Sequence, residues 1–291
     1  MEWFWGIALG LIGLCMGSFA GASVWRLRAR QLKADKKAGE EVDKAEYKRL
    51  NPLTKQSLTK DRSVCLHCGY ALRWYDLIPL VSWLTLKGKC RNCHASIGRF
   101  EPLIEIATAL LFVASYFLWP TPLDSVATVL PFILWLIAGV GLAILFAYDA
   151  KWFLLPDPIT YSVIGVALIS VIVRAAYSDD AGAFIINAAG AVAILSGLYL
   201  LIYVISKGKW IGFGDVKLGL ALGLLLADWQ LAFVALFLAN FVGCLIVIPA
   251  MIAGKIKRTS YVPFGPLLIV GMVLAQFFGM YATQLLIVPI Y

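Results

Sequence analysis

Two aspartates lie where charged sequence gives way to long apolar runs. Asp215 follows Gly212 and Gly214, and the uncharged run behind it, residues 218–227, is only ten residues long. A membrane span of usable length must therefore begin near or before Asp215, at the boundary between water and lipid. Asp149 ends an earlier apolar run, at a helix C-terminus, where the helix dipole disfavours a negative charge.

Two carboxylates that face each other in a poorly hydrated site cannot both ionise cheaply, so the pair titrates as a unit. The ionised member can activate water while the protonated member polarises a carbonyl, which is the chemistry of aspartic proteases. For Asp215 alone, a helix N-terminal acid explains the residue equally well. The Gly212–Gly214 spacing favours a tight turn and the close approach of a second chain.

Three further acids lie near the same ends of apolar runs. Asp157 precedes Pro158, which predicts an N-cap with proline at the first helical position. Glu101 and Glu105 are four residues apart and share one helix face. Glu101 is best explained as an acid at a helix N-terminus, whereas Glu105 lies deeper and is predicted to line a polar cavity.

Four cysteines form two closely spaced pairs, Cys65-x-x-Cys68 and Cys90-x-x-Cys93, separated by 21 residues. This spacing resembles that of a zinc ribbon, in which two tight turns present four thiolates to one ion, although the gap is one residue longer than usual. Two disulfides are the alternative, but thiols stay reduced if the segment is cytoplasmic. Because cysteine fills all four positions, the predicted zinc is structural and leaves no place for a substrate.

The composition indicates a polytopic membrane protein. Of the 291 residues, 61% are hydrophobic and 14% are charged, against about half and a quarter in soluble domains. The apolar runs predict eight spans. They cover residues 3–25, 106–123, 125–148, 158–173, 181–206, 218–227 with its preceding turn, 229–254 and 259–291.

The basic residues predict the orientation of these spans. Residues 26–100 hold 17 of the 25 lysines and arginines. If this segment is cytoplasmic, eight alternating spans place all basic residues except Arg174 inside, as the positive-inside rule requires. The N-terminus is then outside. The net charge of +8 is mainly this topology signal, so acidic lipid is the expected partner and nucleic acid is not.

The predicted fold class is therefore an all-α membrane protein of about eight transmembrane helices, with a small zinc-ribbon-like cytoplasmic insertion after the first helix. Three parts follow from the charge pattern. They are a first transmembrane helix (1–25), a cytoplasmic loop (26–100) whose four-cysteine zinc module spans about 62–99, and a seven-helix bundle (101–291).

With these residues identified, the chain resembles the prepilin peptidases, the type IV leader peptidases of bacteria, over nearly its whole length. The resemblance rests on "MGSFAGASVWRL", on the cysteine-rich segment from Arg62 to Glu105, on "YDAKWFLLPDPIT" and on "GFGDVKLGLALG", which contains the GxGD signature. Two departures are Leu66, where proline is common, and the charged segment 31–60, which matches nothing in the family.

The resemblance implies a function for each motif. Asp149 and Asp215 would be the catalytic pair, and the four cysteines would bind zinc. The residues analysed above add Gly212, Gly214, Asp157 and Glu105 as supporting or motif residues of the predicted site. The family removes the basic leader from type IV prepilins and from the pseudopilins of type II secretion, cutting after a glycine at the cytoplasmic face of the inner membrane. Many members also methylate the new N-terminus with S-adenosylmethionine, but no sequence pattern here indicates where that cofactor binds.

Two other interpretations remain open. One is a GxGD-type protease of other membrane substrates, in which zinc has only a structural role. The other is a non-enzymatic protein, either a pilus-assembly scaffold or an ion relay. A relay would need acids near the centre of the bilayer, whereas here all five acids lie at one end of their spans.

Overall fold

A computed structural model describes residues 2–54, 62–255 and 262–287. Within these ranges the chain is helical apart from turns and two isolated β-bridges. The backbone contacts divide it into two units, Met1–Phe117 and Leu118–Tyr291, each of which is described by itself.

The first unit is built on two helices, α1 (Glu2–Ala38) and α4 (Phe100–Phe117). They pack closely because α1 presents glycines to α4. A Cβ added at Gly17 would lie 2.6 Å from the Cα of Glu105, so the two backbones are in near contact. Small residues allow this approach between membrane helices. The first helix also continues well past residue 25, the predicted end of the first span.

Two short helices of the predicted loop complete this unit: α2 (Lys44–Leu50) and α3 (Val81–Thr85). Leu50 is fully buried against Leu32 of α1. The basic segment is thus anchored to the extension of the first helix by an apolar contact. Residues 55–61 of the predicted loop lie outside the described residues.

The second unit contains the remaining helices. A π-turn (Ala193–Gly197) joins α7 to α8 without a break. In chain order the helices are α5 (Val126–Trp152), α6 (Asp157–Ala176), α7 (Ala181–Val192), α8 (Leu198–Ser206), α9 (Phe213–Leu226), α10 (Trp229–Ile252) and α11 (Phe264–Ile287).

Six helices among the described residues are long and apolar enough to cross a membrane: α1, α4, α5, α6, α10 and the continuous α7–α8. The protein is therefore an all-α, multi-pass membrane protein. The predicted count of about eight spans is not confirmed. The stretch around residues 218–227 folds as α9, which has only 14 residues. Because most of α9 is buried by neighbouring helices, little of its surface is left to face lipid.

Helix α9 is packed against the π-turn through a glycine. A Cβ added at Gly219 would lie 2.2 Å from the carbonyl oxygen of Leu195. The Ser196 hydroxyl also donates a hydrogen bond of 2.9 Å to the carbonyl of Val216. The α9 backbone, which carries Asp215, is therefore fixed by direct contact with the α7–α8 segment.

We expect Gly219→Ala to destabilise the second unit by about 3 kcal/mol or more, since the added methyl group meets a backbone atom that has no room to move. Thermal unfolding in detergent measures the effect. Gly165→Ala is the matched control, because a Cβ at this helical position meets nothing within 4 Å. Equal melting temperatures for the two variants would contradict the close contact.

Arg174, the basic residue that the predicted topology separates from all the others, lies in the last turn of α6. Its guanidinium donates hydrogen bonds to the carbonyls of Leu225 (3.1 Å) and Leu226 (3.2 Å), at the C-terminus of α9. Its positive charge also lies 5.0 Å from the centre of the Phe184 ring. Arg174 thus satisfies a helix end with exposed carbonyls, a favourable place for a cation.

Candidate active site and metal centre

Asp149 lies in the last turn of α5, and its side chain is held by a backbone amide. The residue is 6% exposed. Its Oδ2 accepts a hydrogen bond of 3.0 Å from the N–H of Gly265, in the first turn of α11. The first N–H groups of a helix have no partner within that helix. One of them here fixes the orientation of the Asp149 carboxylate.

The backbone N–H of Gly265 can reach the Asp149 carboxylate because Gly265 has no side chain. A Cβ added there would lie 2.7 Å from Oδ2 of Asp149 and 3.3 Å from its Cγ. Sequence reasoning missed this residue. The signal that could have found it is Pro263-Phe264-Gly265-Pro266, a glycine between prolines at the start of the last apolar run.

Asp215 is the third residue of α9 and is half-buried in its first turn. Its carboxyl group is near enough to that of Asp149 for a direct Coulomb interaction. Helix α11 packs against both α5 and α9, and Gly265 faces Leu218 of α9 as well as Asp149. The structure thus brings together two acids that are 66 positions apart in the sequence.

The two glycines before Asp215 lie in a tight turn, closed by a hydrogen bond of 3.1 Å from the backbone N–H of Asp215 to the carbonyl of Gly212. Gly212 is the N-cap of α9 with an ordinary φ of −77°, and neither glycine has a positive φ. Gly214 also provides room, since a Cβ there would lie 3.3 Å from the side chain of Leu155. A segment of the same chain therefore packs closely on Gly214, whereas the approach of a second chain stays a prediction.

Tyr199 of α8 adds a third polar group near the aspartates. Its ring packs against Phe264 with centroids 5.4 Å apart, beside the glycine that holds Asp149. The residue is 3% exposed, and its hydroxyl has no hydrogen-bond partner among the described residues. It also interacts electrostatically with Asp215. No sequence pattern marks this residue, because it lies within an unbroken apolar run.

The other predicted acids have separate contacts. Asp157 is not an N-cap: Pro156 holds that position, and Asp157 is the first residue of α6. Its exposed carboxylate forms an ion pair with Lys217 of α9 instead.

The two glutamates of the first unit each accept a hydrogen bond from another segment. Glu101 accepts a hydrogen bond of 3.0 Å from the Trp25 indole, so it does more than balance the N-terminus of its own helix. Buried Glu105 accepts one of 2.9 Å from the backbone of Leu80.

The four cysteines, also in the first unit, converge on one point. Their sulfur atoms all lie within 4.8 Å of one another, with 3.9 Å between Cys65 and Cys93 and between Cys68 and Cys90. A disulfide needs about 2.05 Å. Four sulfurs at about 2.3 Å from one zinc ion stand about 3.8 Å apart in a regular tetrahedron. The cluster fits a tetrahedral metal site and not two disulfides.

Both cysteine pairs are built in the same way, as expected of zinc knuckles. The backbone N–H of Gly69 bonds to the carbonyl of Cys65, and that of His94 to Cys90, at 2.9 and 3.0 Å. Gly69 and His94 both adopt a positive φ. A hydrogen bond from the Asn92 amide helps to lower the pKa of the Cys68 thiol to about 6, whereas burial raises the pKa of the Cys65 thiol to about 12. The thiolate is the form that binds metal ions.

Comparison with known proteins gives the family. Residues 11–119 match the bacterial peptidase A24 N-terminal domain, and residues 136–248 match the type IV leader peptidase family. The second match contains both aspartates of the buried pair, and the first contains the four cysteines. No solved structure matches the chain.

Curated relatives cover almost the whole chain. A "Type 4 prepilin-like proteins leader peptide-processing enzyme" of Escherichia coli is 34% identical over 89% of this chain and 88% of its own length. Proteins named "Prepilin leader peptidase/N-methyltransferase" are 34% identical in Pectobacterium carotovorum (96% and 93% covered) and 30% identical in Pseudomonas aeruginosa (94% and 90%). The chain belongs to the type IV leader peptidase family.

Proposed function

We propose that this protein is a membrane aspartic endopeptidase that removes the basic leader from type IV prepilins or pseudopilins, cutting after a glycine, and then methylates the new N-terminal amine. One observation carries the peptidase assignment: Asp149 and Asp215 lie together at adjoining helix ends, and a backbone N–H holds one of them in place. The family and the names of the relatives support the substrate class and the second activity.

The proposed cleavage uses the pair as general base and general acid. One carboxylate takes a proton from water while the oxygen attacks the scissile carbonyl carbon, and the protonated partner donates a hydrogen bond to the carbonyl oxygen. The tetrahedral intermediate then collapses, the C–N bond breaks, and the amine leaves with a proton from the pair. The Gly265 N–H keeps Asp149 oriented throughout. A glycine before the cut leaves the carbonyl accessible.

The predicted topology supports cleavage at the cytoplasmic face of the bacterial inner membrane. The substrate is itself an apolar helix behind a basic leader, so its scissile bond lies at the inner membrane surface. Asp149 in the last turn of α5 and Asp215 in the first turn of α9 suit that depth. In this proposal residues 1–25 cross the membrane with the N-terminus outside, residues 26–100 are cytoplasmic, and residues 101–291 form the peptidase bundle.

The four cysteines would hold a structural zinc ion, whose role is to fold the module at about 62–99 and not to activate water. The S-adenosylmethionine-dependent methylation rests on the names of the relatives, and no residue of this chain is assigned to that cofactor. When bound, it would supply the methyl group that the new N-terminal amine accepts.

Removal of one cysteine tests the metal site. In Cys68→Ser we expect the zinc content to fall from about one ion per chain towards zero, because a structural zinc needs all four ligands. Elemental analysis of the purified protein measures it. Cys15→Ser, at an exposed cysteine of α1, is the control and should keep its metal. Full zinc occupancy in the Cys68 variant would refute the assignment of all four cysteines as ligands.

Intact-mass spectrometry of a type IV prepilin incubated with the purified enzyme tests both activities together. Leader loss, with one added methyl group only when S-adenosylmethionine is present, is the expected result. Leader loss without methylation would leave a peptidase alone. An uncut prepilin, in the presence of enzyme shown to be folded, would contradict the proposed substrate class.

A further inference from the structure

Tyr199 carries the one side-chain polar atom of the second unit, among its described residues, that is buried without a hydrogen-bond partner. Leaving a buried hydroxyl unsatisfied costs about 1–3 kcal/mol. Folded proteins keep few such groups, and each needs an explanation, of which a catalytic role is one. A phenylalanine would fill the same space without this cost, so the hydroxyl itself needs a reason.

The position of the ring supplies that reason. Tyr199 contacts Phe264, the residue before Gly265, whose N–H holds Asp149. It also interacts electrostatically with Asp215. Tyr199 therefore lies beside the aspartate pair on a third helix, α8. Asp149 already receives its hydrogen bond from Gly265, and the Tyr199 hydroxyl has no partner among the described residues.

We propose that the Tyr199 hydroxyl donates a hydrogen bond to the scissile carbonyl oxygen as that oxygen gains negative charge. The tyrosine gives up no proton and forms no covalent bond, and the aspartates carry out the proton transfers described above. A donor fixed in a poorly hydrated site costs little reorganisation, and removing one such donor typically lowers kcat by about 10²–10³-fold. This inference rests on the proposed peptidase function.

The test is Tyr199→Phe, which deletes only the hydroxyl. We expect kcat for prepilin cleavage to fall about 10²-fold with KM within about twofold, because the hydrogen bond strengthens in the transition state. We also expect the melting temperature to stay equal or to rise, since an unpaired buried polar atom is removed. A merely structural hydroxyl would not give this combination.

Tyr203→Phe is the matched control. Tyr203 lies one turn along the same helix, is half-buried, and packs on Phe213 at the same centroid distance of 5.4 Å. The kcat of the Tyr203→Phe enzyme should stay within about twofold of that of the unsubstituted enzyme.

Three outcomes would overturn the inference: an unchanged kcat in the Tyr199 variant, a fall in kcat together with a lower melting temperature, or an equal fall in the Tyr203 variant. Asp215→Asn is assayed in parallel to separate the two proposals. If Asp215→Asn still cleaves, the peptidase assignment fails and the role of Tyr199 fails with it. If only the aspartate variant is inactive, the Tyr199 inference alone is wrong.

Discussion

Asp149→Asn and Asp215→Asn are each expected to lower the rate of prepilin cleavage by about 10⁴-fold or more. Asparagine has nearly the shape of aspartate, but it can neither take a proton from water nor return one to the leaving amine. Removing one member of a proton-transferring unit typically costs this much. Because the two acids act together, the double variant should be no slower than either single variant. The measurement is single-turnover cleavage followed by mass.

Asp157→Asn is the control for these variants. Asp157 is also an aspartate at a helix end of the second unit, but its side chain is 58% exposed and paired with Lys217. An exposed ion pair contributes about 1 kcal/mol or less, so cleavage should stay within a few-fold of the parent. Normal processing by either Asp149→Asn or Asp215→Asn, in protein that inserts and folds, would remove the dyad from the mechanism.

Gly265→Ala is expected to lower the rate of prepilin cleavage by about 10²-fold. The new methyl group would lie 2.7 Å from Oδ2 of Asp149, well inside contact distance. The carboxylate must then turn away and lose its hydrogen bond to the backbone. A misplacement of about 1 Å in a reacting group costs about this much in rate. Cleavage kinetics of the purified variant are the measurement.

Gly165→Ala again serves as the control, because it adds the same methyl group to a helix of the second unit where nothing lies within 4 Å. The melting temperature of Gly265→Ala should fall less than that of Gly219→Ala, since a side chain can move aside more easily than a carbonyl oxygen. A Gly265→Ala enzyme with full activity would show that the Gly265–Asp149 contact has no part in catalysis.

The placement of the acids also bears on the alternative of an ion relay. A relay needs ionisable groups along a path through the bilayer. Asp149 and Asp215 lie in terminal turns, and Asp157 lies at the first residue of α6. This arrangement suits chemistry on a peptide at the membrane surface, which agrees with the family to which the chain belongs.

Local sequence patterns were enough to predict the helical membrane class, the four-cysteine cluster and the family. Apolar runs must bury their backbone polar groups in helices, and two CxxC turns bring four sulfurs together with little help from the rest of the chain. The GxGD and YDAKW motifs are continuous stretches, so the resemblance is visible without a fold. Asp149 and Asp215 could be selected as candidates for a related reason, since a carboxylate at a lipid boundary is costly wherever it lies.

The surroundings of those acids, in contrast, depend on tertiary packing. Gly265 and Tyr199 lie 116 and 50 positions from Asp149. The prolines beside Gly265 mark a special backbone position, but neither stretch of sequence shows which residue it contacts. The predicted N-cap role of Asp157 was wrong for the same reason, because its carboxylate pairs with Lys217 of another helix. The short length of α9 is tolerated because other helices cover it. Helix packing sets these contacts, and packing depends on residues far apart in the chain, which a local pattern does not record.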